Sequence, residues 1–359
     1  MTKVLVTHAG GRLAIGVGRA LHAAADPIEV LAVDANPFQL QRAVADQRFL
    51  VPRANDPRYL EALRRLVREN DIDMLWPNHE AEIALLSRSG NVFGNAVMFL
   101  PPAEVVQACQ DKMTCFELMN AAGLPVPRSM LITSEETLRE AFDRFGVPLW
   151  VRAISGAGGK GSRPVSDLET AVRWIELHHG WGSFMAAECL TKQTITWESI
   201  WDHGTLVLAQ GRRRLYWEFS SLTPSGVTGI CGACVWVADA LVDDIGQRAV
   251  KAIAHEPHGV FGVDITYDSH GGPRVTEINC GRFMSGGIVH FPQSGYNIGE
   301  IVTRLALGRP LGFDTPVLNP CPADTVLIHG MDVQPVVTTM NEVRAYESAL
   351  GDMLSTVAR

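Results

Sequence analysis

At 359 residues the chain is too long for one ordinary core and long enough for two or three packed units. Hydrophobic residues at 47% and charged residues at 19% exclude extended disorder, and a formal charge of -8 argues against general nucleic-acid binding. No apolar run reaches the roughly 18–20 residues of a membrane span. The start, MTKVLVTHAGG, lacks the basic and apolar regions of a secretory leader, so a cytoplasmic chain is expected.

From the N-terminus, KVLVTHA reads as a buried strand, GRLAIGVGRALHAA as a glycine-opened helix, and IEVLAVDAN as a second strand ending in Asp34. PRYLEALRRLVRENDI is an amphipathic helix with Leu60, Leu63, Leu66 and Val67 on one face, and DMLWPN and VMFLPP are short strands stopped by proline. Strands alternating with helices predict an α/β, Rossmann-like unit with a parallel sheet. AEVVQACQDKMTCFELMNAAGLPVPRSM then reads as a helical stretch, in which Lys112 opens a helix, with a Gly-Leu-Pro-Val-Pro stop and an extended exit. PLWVRAISGAGGKGSRPV is strand, glycine loop, strand; DLETAVRWIELHH is a helix and FMAAECL a strand. ITWESIWDHGTLVLAQGRRRLYWEF is a hairpin turned at His203–Gly204. A helix from LVDDIGQRAV leads into the hairpin FGVDITYDSHGGPRVTEINC, and GYNIGEIVTRLALG is a late helix. The tail from about 316 has no clear pattern beyond a closing helix.

Four features carry chemistry. Residues two apart on a strand share a face, so Glu277 and Asn279 project together, and the paired strand can bring Asp264 beside them. Three oxygen donors on rigid strands suit Mg²⁺, although a solvated acidic face has the same short pattern. SGAGGKGS, with Gly156, Gly158, Gly159, Lys160 and Gly161, is a loop whose N–H groups could cradle phosphate, but its spacing is not that of a Walker A loop. Lys112, Arg152, Arg212, Arg214 and Arg282 are candidate anion partners. The N-terminal GG turn followed by Asp34 invites a dinucleotide reading, yet lacks the GxGxxG spacing. The seven scattered cysteines fit a reduced compartment, and the Cys231/Cys234 pair, on an apparent strand, reads as packed thiols rather than a zinc or redox motif.

Taken in order, VLVTHAGGRLAIGVGRAL, DKMTCFELMNAAGLPVP, PLWVRAISGAGGKGS and FGVDITYDSHGGPRVTEINCGRFMSGGIVHFPQSGYNIGEIVTRLALGRPL resemble the ATP-grasp superfamily, nearest the synthetase unit of the carbamoyl-phosphate synthetase large subunit. The resemblance implies a pre-ATP-grasp domain at 1–110, a small grasp lobe at 111–190, a large lobe at 191–315 and a tail at 316–359 of unknown role. It implies that Lys112, Arg152 and the 156–161 loop contact ATP phosphates, and that Glu188, Cys189 and Leu190 form the adenine hinge. Asp264, Glu277 and Asn279 would hold Mg²⁺, two ions in the family pattern, with Mn²⁺ as a stand-in. Arg282, with N–H groups at Gly286 and Gly287, would grip the acyl phosphate or substrate carboxylate. Two departures stand out: where the family usually has a ribose glutamate this chain offers Thr194, with Glu198 further on, and Glu-Ile-Asn-Cys-Gly-Arg has one residue more than the usual Glu-x-Asn-Pro-Arg. The implied activity is ATP-dependent joining of a small-molecule carboxylate to an amine, with ADP release and no nucleic-acid or membrane partner; the family also forms homodimers. Arg212 and Arg214 suggest an anionic substrate, and Trp197, Trp201, Trp217 and Trp236 an apolar or aromatic pocket if they do not simply pack. The competing readings are a non-catalytic nucleotide-binding module and an NAD(P)-dependent oxidoreductase.

Overall fold

The computed structural model describes residues 1–330, apart from 157, 158, 160, 285 and 286, together with 336–341 and 344. The first unit comprises β1 (Thr2–Val6), α1 (Arg12–His22), β2 (Ile28–Asp34), α2 (Pro37–Leu40), β3 (Gln47–Leu50), α3 (Tyr59–Asn70), β4 (Met74–Trp76) and α4 (Glu80–Ser89). Its strands form a parallel sheet ordered β3-β2-β1-β4. β1 and β2 are covered on both faces, which is why they read as nearly unbroken apolar runs. The VMFLPP segment adds only an isolated bridge, Met74 to Val97, because the prolines that follow end the extended run.

The helical stretch is two helices, α5 (Ala103–Gln110) and α6 (Lys112–Ala121), the second opened by Lys112 as expected. Asp111 leaves the helical conformation and its side chain accepts from Thr114 N, capping the second helix. Next come β5 (Ser129–Ile132), α7 (Glu135–Phe145), β6 (Leu149–Ala153), β7 (Arg163–Val165), α8 (Leu168–Leu177) and β8 (Phe184–Glu188). Their strands make an antiparallel sheet ordered β5-β8-β6-β7.

The large sheet holds β9 (Thr194–Asp202), β10 (Thr205–Trp217) and β11 (Cys231–Val237). After α9 (Ala240–Ile253) it takes in β12 (Gly259–Tyr267) and β13 (Pro273–Cys280). α10 (Gly287–Gln293) begins where a glycine turn was expected, and α11 (Ile298–Ala306) follows. The tail supplies β14 (Val317–Leu318), β15 (Thr325–Ile328) and β16 (Val336–Thr339). The order is β13-β12-β9-β10-β11-β15-β16, with β14 beside β10. The tail thus extends this sheet; the closing helix lies largely outside the described residues.

Two cores fix the geometry. One packs α5, α6 and α9 under β9, β12 and β13. The other joins the first sheet and α1 to α10, α11 and the opposite face of β9 and β10, through Phe283, Phe291, Ile200 and Leu208. This second core docks the N-terminal unit on the large sheet and brings the start of α4 to the end of β13.

Candidate active site

β12 and β13 pair antiparallel with Asp264 opposite Glu277 and Gly262 opposite Asn279, so the strand alternation read from sequence holds. Two carboxylates directly opposed would repel. Cations offset this: Arg152 Nη2 donates to Glu277 Oε2 at 2.9 Å, and Arg214 Nη2 to Asp264 Oδ1 at 2.7 Å. Thr196 Oγ1 also donates to Asp264 Oδ1 at 2.7 Å. Burial pushes the Glu277 carboxyl up, but Arg152 and Lys112 outweigh it and hold the group below its ordinary range.

Lys112, at the first position of α6, is buried, and its Nζ donates to Gly156 O at 2.8 Å. The helix break at Asp111 sets that position. Burial lowers the Lys112 ammonium, while Glu277 opposes the shift. Arg282 Nη2 donates to Glu80 Oε1 at 2.7 Å, bridging to the first turn of α4. Strand alternation turns Arg212 and Arg214 inward and leaves Arg213 exposed. Arg214 Cζ lies 4.4 Å from the centroid of the Trp217 ring.

Most of these groups line a cavity of about 370 Å³, while Lys112 faces a smaller one of about 30 Å³ that it shares with Glu277, Asn279 and Arg282. Asp264, Glu277, Asn279, Arg212, Arg214 and Arg282 all line the larger cavity, as does Gly159 of the glycine loop. Gly159 needs its residue type: φ is +71°, and a Cβ would lie 2.8 Å from Val227 O. The N-terminal unit contributes His8, Arg12, Asn78, His79 and Glu80, none of which the sequence had marked as site residues. The only local signals were the polar NHE run after β4 and the arginine opening α1. Arg12 Nη1 donates to His329 Nδ1 at 3.2 Å. His329 is pushed down to about 4 by burial and by Arg12 and Arg212, which shows how cationic this wall is.

Cys231 also lines the cavity. Irregular pairing between β10 and β11 around Leu215 and Gly232 interrupts the strand alternation, and Cys231 and Cys234 cluster against Leu327. A hydrogen bond from Cys234 and the charges of Arg212, Arg214 and Arg12 bring Cys231 down to about 6 despite its burial. Both thiols are buried and unbridged, and Cys231 is the one whose proton the surrounding arginines loosen.

Other expected residues lie elsewhere. Glu188 accepts from Arg128 N at 3.0 Å and Nε at 2.9 Å, so its carboxylate is committed to a salt link rather than turned to a base edge. Cys189 is exposed and Leu190 half-buried beside it. Glu198 is no surface ribose contact: it is fully buried mid-strand and accepts from Met284 N. Trp197, Trp201 and Trp236 belong to the interior, and only Trp217 of the four tryptophans lines the cavity. Gly158, Lys160 and Gly286 lie outside the described residues; Gly161 packs on Phe184, and Gly287 opens α10. The dinucleotide turn is filled from within. Asp34 Oδ2 accepts from Gly10 N at 3.0 Å, and a Cβ on Gly10 would sit 1.9 Å from Gln39 O of α2.

The donor set fits a hard divalent cation. Arg152 and Arg214 take one oxygen each from Glu277 and Asp264, and Glu277 Oε1, Asp264 Oδ2 and the Asn279 amide have no hydrogen-bond partner among the described residues. The cation-lined cavity thus lies between an antiparallel sheet with a glycine loop and a larger sheet with paired acids. The fold is that of the ATP-grasp superfamily. Residues 4–98 match the family model PylC-like, N-terminal domain, and residues 111–200 match carbamoyl-phosphate synthase L chain, ATP binding domain. The carbamoyl phosphate synthase large chain of Methanosphaerula palustris is 25% identical over 317 residues, covering 82% of this chain and 28% of that protein. That of Methanospirillum hungatei is 23% identical, covering 79% and 27%. The chain thus spans little more than a quarter of these relatives' length.

Among solved structures, an L-amino acid ligase from Bacillus licheniformis superposes with TM-score 0.71 at 14% identity, covering 98% of this chain and 97% of that one. N5-carboxyaminoimidazole synthetase from Staphylococcus aureus complexed with ADP gives 0.69 at 17% identity, covering 92% and 82%. The biotin carboxylase domain dimer of Hydrogenobacter thermophilus 2-oxoglutarate carboxylase, with MgADP, ADP and bicarbonate, gives 0.69 at 18%, covering 91% and 73%. Among the described residues, no helix is long and apolar enough to cross a membrane.

Proposed function

We propose that this chain is an ATP-dependent ligase that activates a carboxylate as an acyl phosphate and joins it to an amine. One observation carries the reading: Asp264, Glu277 and Asn279 share a single cavity with Arg282, while Arg152 and Lys112 face Glu277 from behind. ATP-grasp relatives that ligate small molecules, some crystallised with ADP or MgADP, support it.

A substrate carboxylate oxygen attacks the γ-phosphorus, the bond to the β-bridging oxygen breaks, and ADP leaves. The amine nitrogen then attacks the acyl carbon, phosphate departs, and the nitrogen gives up a proton. The protein supplies position and charge rather than a nucleophile. Lys112 and Arg152 neutralise the phosphates, Arg282 orients the carboxylate, and the loop around Gly159 keeps water from the acyl phosphate. Mg²⁺, held by Asp264, Glu277 and Asn279, would screen charge on the transferred phosphoryl group. Two ions, replacement by Mn²⁺, a cytoplasmic location and a homodimer complete the proposal.

A second reading, a nucleotide-binding module without turnover, draws on the same ion pairs, since Glu277, Asp264 and Arg282 each already have a protein partner. A hydroxylamine trap separates the two. The protein is incubated with Mg-ATP, hydroxylamine and pools of amino acids and other carboxylic acids. Hydroxamate and ADP from one pool, lost in Glu277→Ala, are expected; nucleotide binding with neither product in any pool would favour the module.

A further inference from the structure

Away from the cavity, at the far end of β9, Asp202, His203 and His258 bring one ligand atom each within 4.8 Å of one another. They come from two chain segments: Asp202 and His203 from the β9–β10 turn, His258 from the link between α9 and β12. His258 Nδ1 stands 3.3 Å from Asp202 Oδ1, and His203 Nε2 stands 3.9 Å from the same oxygen. The segments are tied together, since Gly204 N donates to Pro257 O at 2.8 Å.

We propose that Asp202, His203 and His258 form a binding site for a borderline divalent transition ion of the Zn²⁺ class, separate from the ligase centre. Two imidazoles and a carboxylate are the donor set such ions favour, and three protein ligands leave a position for water. Both histidines line a further cavity of about 510 Å³, which gives that water room.

Three observations set this cluster apart from an incidental polar group. The imidazoles stack at 4.2 Å, an arrangement that two protonated rings would resist. Phe99 braces His258 edge-on at 4.5 Å, and its Nδ1 is buried with no hydrogen-bond partner of good geometry, although it faces a carboxylate. The turn points the same way. His203 and Gly204 both have positive φ, a geometry that asparagine followed by glycine fills most readily, yet histidine occupies the first position.

The test is Zn²⁺ binding to the untagged full chain, by equilibrium dialysis with metal analysis and by the visible spectrum of the Co²⁺ form. His203→Asn suits the turn and keeps the fold; His258→Gln removes the second imidazole. About one Zn²⁺ per chain is expected, with affinity reduced at least tenfold in each variant and unchanged in Glu277→Ala. No saturable binding overturns the proposal. So does binding that survives both histidine changes, or that only Glu277→Ala removes.

Discussion

The two walls of the cavity are built differently. The wall formed by β12, β13 and β10 presents Asp264 paired with Arg214 at 2.7 Å, and Glu277 held from outside it by Arg152 of β6 at 2.9 Å. The wall from the N-terminal unit presents His8, Arg12, His79 and Glu80, held by the docking of a separate sheet. The first rests on neighbouring strands of one sheet with an ion pair to β6, whereas the second exists only while the two units stay packed. Arg282 spans them through Glu80. Chemistry should therefore depend most on the first wall and substrate orientation on the second.

The largest effect is expected at Glu277. On the proposed function, replacement by alanine removes one of the proposed metal ligands and leaves Arg152 without this partner, so kcat for hydroxamate formation should fall about 10²–10³-fold or more. A kcat unchanged within about threefold would remove the first wall from the chemistry. Glu80→Gln tests the second wall. With Arg282 no longer anchored, KM for the carboxylate should rise roughly tenfold while kcat changes less. A fall in KM would mean that Glu80 competes with substrate instead of positioning the arginine.

Cys231 sharpens the comparison, because arginines of both walls act on it. Its alkylation, followed by mass spectrometry of the peptide, should titrate with a midpoint of about 6 and shift upward in Arg212→Met. The folded-state value lies below that of an ordinary thiol. The thiolate's contribution to stability is therefore full above the ordinary thiol range and lost as pH falls through about 6. A midpoint in the ordinary range would show that the cationic field does not reach the sulfur. The smallest effect is expected from Gly159→Ala, which places a methyl 2.8 Å from Val227 O at positive φ. Strain of about 1–3 kcal/mol should open the loop and raise ATP hydrolysis without ligation, measured as ADP formed per hydroxamate, with thermal stability little changed.

How much could be read in advance follows from the range of the forces. The alternation of Asp264, Glu277 and Asn279 is a property of two adjacent strands, and it holds from Asp264–Glu277 to Gly262–Asn279, although the register shifts just beyond, at Thr276. The glycine loop, the β9–β10 hairpin and the parallel first sheet were legible for the same reason: backbone sterics and period-two or period-3.6 burial act within a few residues. The helix start at Lys112 was legible in the same way, and Asp111, three before Thr114, caps it.

What the sequence by itself determined was the strand-borne acids, the cations and the order of units. Tertiary structure alone decided that Glu80 would meet Arg282, 202 residues away, and that Glu198 would be enclosed beneath Met284. It also decided that the tail would extend the large sheet and that His258 would stack on His203. Such contacts depend on which faces dock, and docking is set by summed burial over two cores rather than by any local pattern.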